Sequence, residues 1–263
     1  MLQKLLLFTS LTYQQPTEAW DRINGLFAVR YDRYSRRAPS YEAQNFVSAT
    51  AQLLREMGWD LARYAQEPSC LEIDNYVQQE TQKFHSNAPF LETHNADILL
   101  AKTCYAMCRV LRPAVVVETG VAYGVNSAFI LQALAVNQYG CLWSIDLPPL
   151  TESADTYVGS VIPSSLKDRW HLIRGASRRE LPRLVQELSA IDIFIHDSLH
   201  TYANIHFEFD AVEPRLSRPG VMIADDIEGN MAFDDWALAH PEWSRLVISQ
   251  QDKPGLYGIL IQR

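Results

Sequence analysis

The segment Val115-Val116-Val117-Glu118-Thr119-Gly120-Val121-Ala122-Tyr123-Gly124 constrains this chain more than any other. Its β-branched apolar run has the composition of a buried strand, and it stops at an acid. Two glycines follow, and a helical pattern begins at Asn126 and runs to Gln138. Glycine adopts positive φ without a Cβ clash and lets a backbone pass close to a ligand. Strand, glycine turn and helix, in that order, open a parallel βαβ unit and form the usual entry to a nucleotide-type site.

The rest of the chain repeats this alternation. Ile98 to Leu111 reads as a helix stopped by Pro113, and Val115 to Glu118 as the first strand. Cys141 to Asp146, His171 to Arg174, Ile191 to His196 and Val221 to Ala224 read as further strands. Ser177-Arg178-Arg179-Glu180 has capping-box spacing and opens a helix through Leu188. Tyr202 to Leu216 is a helix, Arg218-Pro219-Gly220 a turn, and Phe233 to His240 a helix. Leu246 to Ser249 and Leu256 to Ile261 form two strands around Lys253-Pro254-Gly255. Such αβ repeats imply a mostly parallel sheet covered on both faces, with an antiparallel edge from the closing pair. Residues 1–95 differ. Phe46 to Tyr64 and Ile73 to Phe84 are helical candidates, and strand signals are confined to the first eight residues. This region is expected to be a helical extension that caps the site or builds an oligomer interface, ahead of a domain spanning 96–263.

Composition bounds the partners. The formal charge of −8 over 263 residues argues against non-specific attraction to nucleic acid. Arg30, Arg33, Arg36 and Arg37, interleaved with Tyr31 and Tyr34, form a local basic patch that reads as a solvated or subunit-contacting loop. Cys70, Cys104, Cys108 and Cys141 make no metal-binding pattern, and Cys104 and Cys108 read as small core residues. A reducing compartment follows. No apolar run reaches the ~18 residues of a membrane span, so a cytoplasmic protein with no membrane association is expected.

Ligands of open parallel sheets bind outside the carboxyl ends of the strands. After the first, second, fourth and fifth strands every such residue is acidic: Glu118, Asp146, Asp197, and Asp225 with Asp226. Together they would repel one another without cations, hydroxyl donors or a metal. An acid ending the second strand, as Asp146 does, accepts hydrogen bonds from ribose hydroxyls. Gly120-x-x-x-Gly124 lacks the GxGxxG spacing of dinucleotide sites. Glu118 would repel a pyrophosphate but suits an amino group, which points to S-adenosylmethionine rather than NAD or ATP.

These residues resemble the class I S-adenosylmethionine-dependent methyltransferases. The resemblance is carried by Glu118-Thr-Gly120-x-x-x-Gly124, Asp146, His196-Asp197-Ser198-Leu199-His200 and Ala224-Asp225-Asp226. Within that class the chain is similar to metal-dependent O-methyltransferases of antibiotic sugars, of the mycinamicin and macrocin type. The resemblance implies a Rossmann-like α/β fold with a seven-stranded sheet and an antiparallel last strand. It places Glu118 and Gly120 near the methionine part of the cofactor, with Tyr123, Gly124 and Ser127 alongside. Asp146 would hold the ribose, and Gly175-Ala176-Ser177 would lie beside adenine. It further implies Mg²⁺ or Mn²⁺ on Asp197, Asp225 and Asp226, with Asp197 close to the cofactor and His200 as general base.

The chemistry agrees with the residue types. Carboxylate oxygens suit a hard dication, which lowers the pKa of a bound hydroxyl. Asp197 and His200 stand three residues apart and share a face of a helical turn. Asp225 and Asp226 would point to opposite faces of a regular strand, so both ligate one ion only if the chain bends there. His196 points away from Asp197 and is left outside the site. The segment Leu147 to Leu166 reads as a lid, and Tyr157, Phe233 and Trp236 as core residues or acceptor contacts. A hydroxylated small molecule is the expected acceptor, and a homo-oligomer the expected assembly. The alternatives are a catechol-like phenol O-methyltransferase, a metal-free N-methyltransferase and a cofactor-binding assembly protein without turnover.

Overall fold

Seven strands form one sheet: β1 (Val115–Thr119), β2 (Cys141–Asp146), β3 (Trp170–Arg174), β4 (Ile191–His196), β5 (Leu216–Ala224), β6 (Trp243–Ser249) and β7 (Leu256–Gln262). Their order is β3-β2-β1-β4-β5-β7-β6. The first five are mutually parallel, and β7 runs antiparallel to both β5 and β6. Strand order reverses between β1 and β4, the place where such sheets open a crevice. The reversal of β7 carries a second consequence. It brings the turn between β6 and β7 to the same rim as the carboxyl ends of β4 and β5, since Ala224 pairs with Gly258. The computed structural model describes residues 2–35, 39–84, 89–90, 96–151 and 153–262.

Alternation along the strands builds two cores. Val116, Ile193, Ile195, Val221 and Ile223 face one side. There they meet α3 (Phe46–Met57), α4 (Leu61–Tyr64), α5 (Pro68–Thr81), α6 (Ile98–Leu111) and α7 (Val125–Asn137). Val117, Phe194, Met222 and Ala224 face the other, against α9 (Ser177–Glu187), α10 (Tyr202–Val212) and α11 (Ala232–Ala239). Each large side chain so buried is worth about 1.5–3 kcal/mol. Cys104 and Cys108 sit buried in α6 as core residues, and the four cysteines are free.

Residues 2–8, read as a strand signal, lie in α1 (Leu2–Gln14), followed by α2 (Pro16–Ser35). A short apolar run does not by itself distinguish helix from strand. Gly58, in the left-handed region at φ 72°, ends α3, and Asp60 caps α4, so one predicted helix is two. The next begins earlier than expected, at Pro68, a favoured first helical residue. Ser177 is not an N-cap. Ala176 holds that position without a side-chain bond, and the Glu180 side chain pairs with Arg179 and Arg183. Pro214 opens a 3-10 turn that stops α10. The expected turn at Arg218-Pro219-Gly220 lies inside β5, where pairing with β4 is irregular, the setting that tolerates proline in a strand.

The segment after β2 is tied down. It contains α8 (Ala154–Tyr157) and a 3-10 turn, Ser164–Arg169. The Gly159 and Val161 N–H groups donate to the carbonyls of Ala122 and Tyr123, each at 3.0 Å. Arg36 and Arg37 of the basic patch lie outside the described residues, as do the side chains of Arg33 and Tyr34. Among the described residues no helix is long and apolar enough to cross a membrane.

Gly120 is the tightest point of the crevice. Its φ is +87°, and a Cβ there would stand 1.9 Å from the carbonyl oxygen of Asp197. Gly120→Ala is expected to destabilise the protein by at least about 2 kcal/mol, through both strain and collision. Chemical denaturation checks this, and a variant within error of the parent would refute it.

Candidate active site

The β1 turn brings three backbone strands into register. The Gly120 N–H donates to the Ile145 carbonyl at 2.8 Å, and the Asp197 N–H donates to the Thr119 carbonyl at 2.8 Å. Glu118, at the end of β1, is 1% exposed. Its Oε1 accepts hydrogen bonds from the hydroxyls of Ser127 and Ser144, and its Oε2 has no partner. Asp146 ends β2 with its Oδ2 also buried and unpartnered. Burial lifts both carboxyls to about 7, against the hydrogen bonds from Ser127 and Ser144 at Glu118 and from backbone groups at Asp146. Two buried acids with bare oxygens flank one glycine turn.

The ends of β2 and β3 meet beside Asp146, whose carbonyl accepts from the Gly175 N–H at 2.8 Å. Ala176 and Ser177 follow at the start of α9. Helix α2 crosses this edge. Its buried Glu18 pairs with Arg22 and with Arg174 at the end of β3. Arg22 donates to the Pro148 carbonyl at 2.8 Å. Arg174 also pairs with Asp155 of α8.

The second acidic group lies across the crevice. β5 ends at Ala224, and Asp226 adopts φ 49°, so the chain leaves the strand between Asp225 and Asp226. The bend turns both carboxylates to one place. Lys253 stands there, with its Nζ 3.3 Å from Asp225 Oδ2 and 3.1 Å from Asp226 Oδ1. The Gln250 amide donates to Asp225 as well. His200 Nε2 is 3.6 Å from Asp197 Oδ1 and 3.8 Å from Asp226 Oδ2. Burial, then the charges of Asp225 and Asp226, push Asp197 well above the usual carboxylate range. Burial also lifts Asp225 to about 7. At Asp226 burial acts the same way, but His200 and Lys253 outweigh it and hold that carboxyl low. Burial and the neighbouring His196 lower His200 to about 4, leaving a neutral imidazole near pH 7.

His196, read from the sequence as outside the site, lies directly beneath it. Its Nδ1 is 2.6 Å from Glu208 Oε2, and its ring meets that of His200 edge-on at 5.3 Å. Glu208 also accepts from Thr119, Ser198 and Asn204. Burial acts to raise Glu208, but His196 and the hydrogen bonds it receives hold it at about 2.

The other expected residues have partners within the protein. The Tyr123 ring stacks on Phe84 at 3.9 Å and its hydroxyl donates to the Phe90 carbonyl, so its side chain is engaged in packing. Ser127 serves Glu118. Tyr157 joins the same aromatic cluster, and Phe233 and Trp236 are core. Lys253, Gln250 and Glu208 carry no sequence motif. The signal for Lys253 is topological: a cation in the hairpin before an antiparallel last strand belongs to the rim.

A family profile described as "Methyltransferase domain" matches residues 117–227. No curated protein matches the chain. Among solved structures, the chain is similar to an O-methyltransferase from Bacillus cereus bound to S-adenosylhomocysteine, with TM-score 0.58 and 14% identity over 82% of this chain and 97% of that one. It is similar to the O-methyltransferase TomG of Streptomyces achromogenes, involved in tomaymycin synthesis, with TM-score 0.56 and 12% identity over 82% and 96%. A third similar structure is an S-adenosylhomocysteine-bound methyltransferase of Podospora anserina, with TM-score 0.54 and 12% identity over 86% and 100%. The chain therefore has the Rossmann-like fold of these methyltransferase structures, and its residues 117–227 match the methyltransferase-domain profile.

Glu118 makes stability depend on pH. Its folded value of about 7 stands above its ordinary 4.5. The stability it contributes is complete below about pH 4.5 and is lost as pH rises through about 7. Thermal melts of the ligand-free protein should fall between pH 5 and 8, and Glu118→Gln should remove roughly 2–3 kcal/mol of that decline. Parallel profiles for the two proteins would rule out the buried acid as its source.

Proposed function

We propose that this chain is an S-adenosylmethionine-dependent O-methyltransferase acting on a hydroxyl of a small molecule. The observation that carries the reading is the pair of buried, half-partnered carboxylates, Glu118 and Asp146, flanking a turn where no side chain fits. A buried polar atom without a partner is costly, and a ligand donor removes that cost. The bare Glu118 oxygen suits the amino group of the methionine moiety, and the bare Asp146 oxygen suits ribose hydroxyls. Gly175, Ala176 and Ser177 adjoin Asp146 on the side left for adenine. Helix α2, wired to Arg174 and Pro148, supports a capping role for the N-terminal helices.

The cofactor, when bound, supplies an electrophilic methyl group on a sulfonium. The chain's part is to hold an acceptor hydroxyl in line with that methyl and to remove its proton. His200 is placed for the second task. It is neutral near pH 7, and its Nε2 lies 3.8 Å from the ionised Asp226, which steadies the imidazolium as it takes the proton. The likeness to the O-methyltransferase TomG and to its Bacillus counterpart supports oxygen over nitrogen as the acceptor atom. A polyhydroxylated or glycosylated natural product is the leading acceptor class, and a homo-oligomer the assembly we favour.

A divalent ion on Asp197, Asp225 and Asp226 is the second reading, favoured by the convergence of these carboxylates. Against it, the Lys253 ammonium already lies between Asp225 and Asp226. Among the described residues, no group of three His, Cys, Asp or Glu side chains is arranged to hold an ion. The donor set does not fit an ion with the lysine in place, and no step is assigned to one.

Asp146→Ala should weaken S-adenosylhomocysteine by about 2–3 kcal/mol in calorimetry, since ribose hydroxyls lose their acceptor. An unchanged dissociation constant would remove Asp146 from the site. His200→Gln should keep that affinity and lower methyl transfer to a hydroxylated acceptor roughly 10²-fold or more, read by mass spectrometry. Wild-type protein that binds no S-adenosylhomocysteine would overturn the proposal as a whole.

A further inference from the structure

We infer that Lys253 is the resident cation of the acidic rim and takes the place a divalent ion would need, so that the site works without one. The inference rests on the O-methyltransferase reading for its chemistry, but its geometry stands alone. The Lys253 Nζ bridges Asp225 and Asp226 at 3.3 and 3.1 Å. Gln250 adds an amide donor to the same carboxylates.

The lysine is delivered by a fixed hairpin. The N–H groups of Gln251 and Asp252 donate to Asp97 Oδ2 at 2.8 and 2.7 Å. The Asp252 carboxylate in turn accepts from the Ile98 N–H at 3.2 Å, at the start of α6. At the far side, the Leu256 N–H donates to Glu228 at 2.9 Å. Gly255 leaves room for the Gln250 side chain, since a Cβ there would stand 2.1 Å from Gln250 Oε1. Both flanks of Lys253 are thus held by side chains from other elements.

Magnesium demands near-octahedral oxygen ligands at about 2.0–2.1 Å. Asp225 and Asp226 supply such oxygens only if the ammonium withdraws, and a dication entering beside it meets a like charge. An ammonium carries three N–H donors. Two are directed at Asp225 and Asp226, and the third is left for an oxygen of the acceptor. Lys253 then positions the hydroxyl, and His200 receives its proton. The acceptor oxygen bonds to the methyl carbon, the carbon–sulfur bond breaks onto sulfur, and the proton moves to the imidazole.

The test is a Mn²⁺ titration of the full chain with S-adenosylhomocysteine present, followed by electron paramagnetic resonance. Wild-type protein should show no stoichiometric ion with a dissociation constant below about 1 mM. Lys253→Met, which frees the carboxylates, should bind Mn²⁺ at least about tenfold more tightly, and Lys253→Arg should not. Methyl transfer by wild-type protein should survive EDTA. One Mn²⁺ per wild-type chain at micromolar concentration, or a folded Lys253→Met with no gain in affinity, overturns the inference. If Lys253→Met does not fold, the wild-type titration decides alone. Failure of S-adenosylhomocysteine to bind would sink the methyltransferase reading and leave the ion result standing.

Discussion

The buried Glu208 carboxylate holds the crevice together. One of its oxygens accepts from Thr119 on β1 and meets His196 on β4, and the other accepts from Ser198 and Asn204. Four partners from three elements converge on one fully buried acid. A charged group in such a place is tolerable only when its lone pairs are satisfied. Because they are, β1, β4 and the start of α10 are locked at the point where the strand order reverses. The close approach of Gly120 to Asp197, and the stance of His200 over His196, both follow from that lock.

Against this saturated acid, the remaining carboxylates divide by their partners. Glu118 and Asp146 are buried but half-satisfied, and burial leaves both near the point of ionising at neutral pH. Asp225 and Asp226 have a lysine and an amide beside them. The crevice thus has a side that lacks donors and a side that brings its own. The first leaves two buried carboxyl oxygens, on Glu118 and Asp146, without a partner. The second is already neutralised in part, and the neutral His200 imidazole stands between the two sides.

Much of this was legible in the chain itself. Apolar runs bounded by acids marked β1, β2, β4 and the end of β5, and the glycine spacing around Gly120 separated this crevice from a dinucleotide site. What stayed hidden depends on tertiary placement. Lys253 looks like an ordinary hairpin residue until the pairing of Ala224 with Gly258 puts its turn beside Asp225. Glu208 sits on the inner face of α10, where an amphipathic pattern predicts an apolar residue. His196 reads as standing outside the site, yet its contacts with Glu208 and His200 build the lower half of it. Ser177 was misread by one position, because a capping box and a helix that simply starts with serine share their letters.

The reversal of β7 reaches beyond the sheet. It lets the loop just before the final strand share a working surface with loops from the middle of the chain. That loop lies outside every strand and contributes little to the two cores. Lengthening or shortening it would shift the Lys253 amine relative to Asp225 and Asp226 while the paired strands stayed in register. The charge balance of the acidic rim is therefore separable from foldability, and diversification can proceed in a stretch that the sheet does not police.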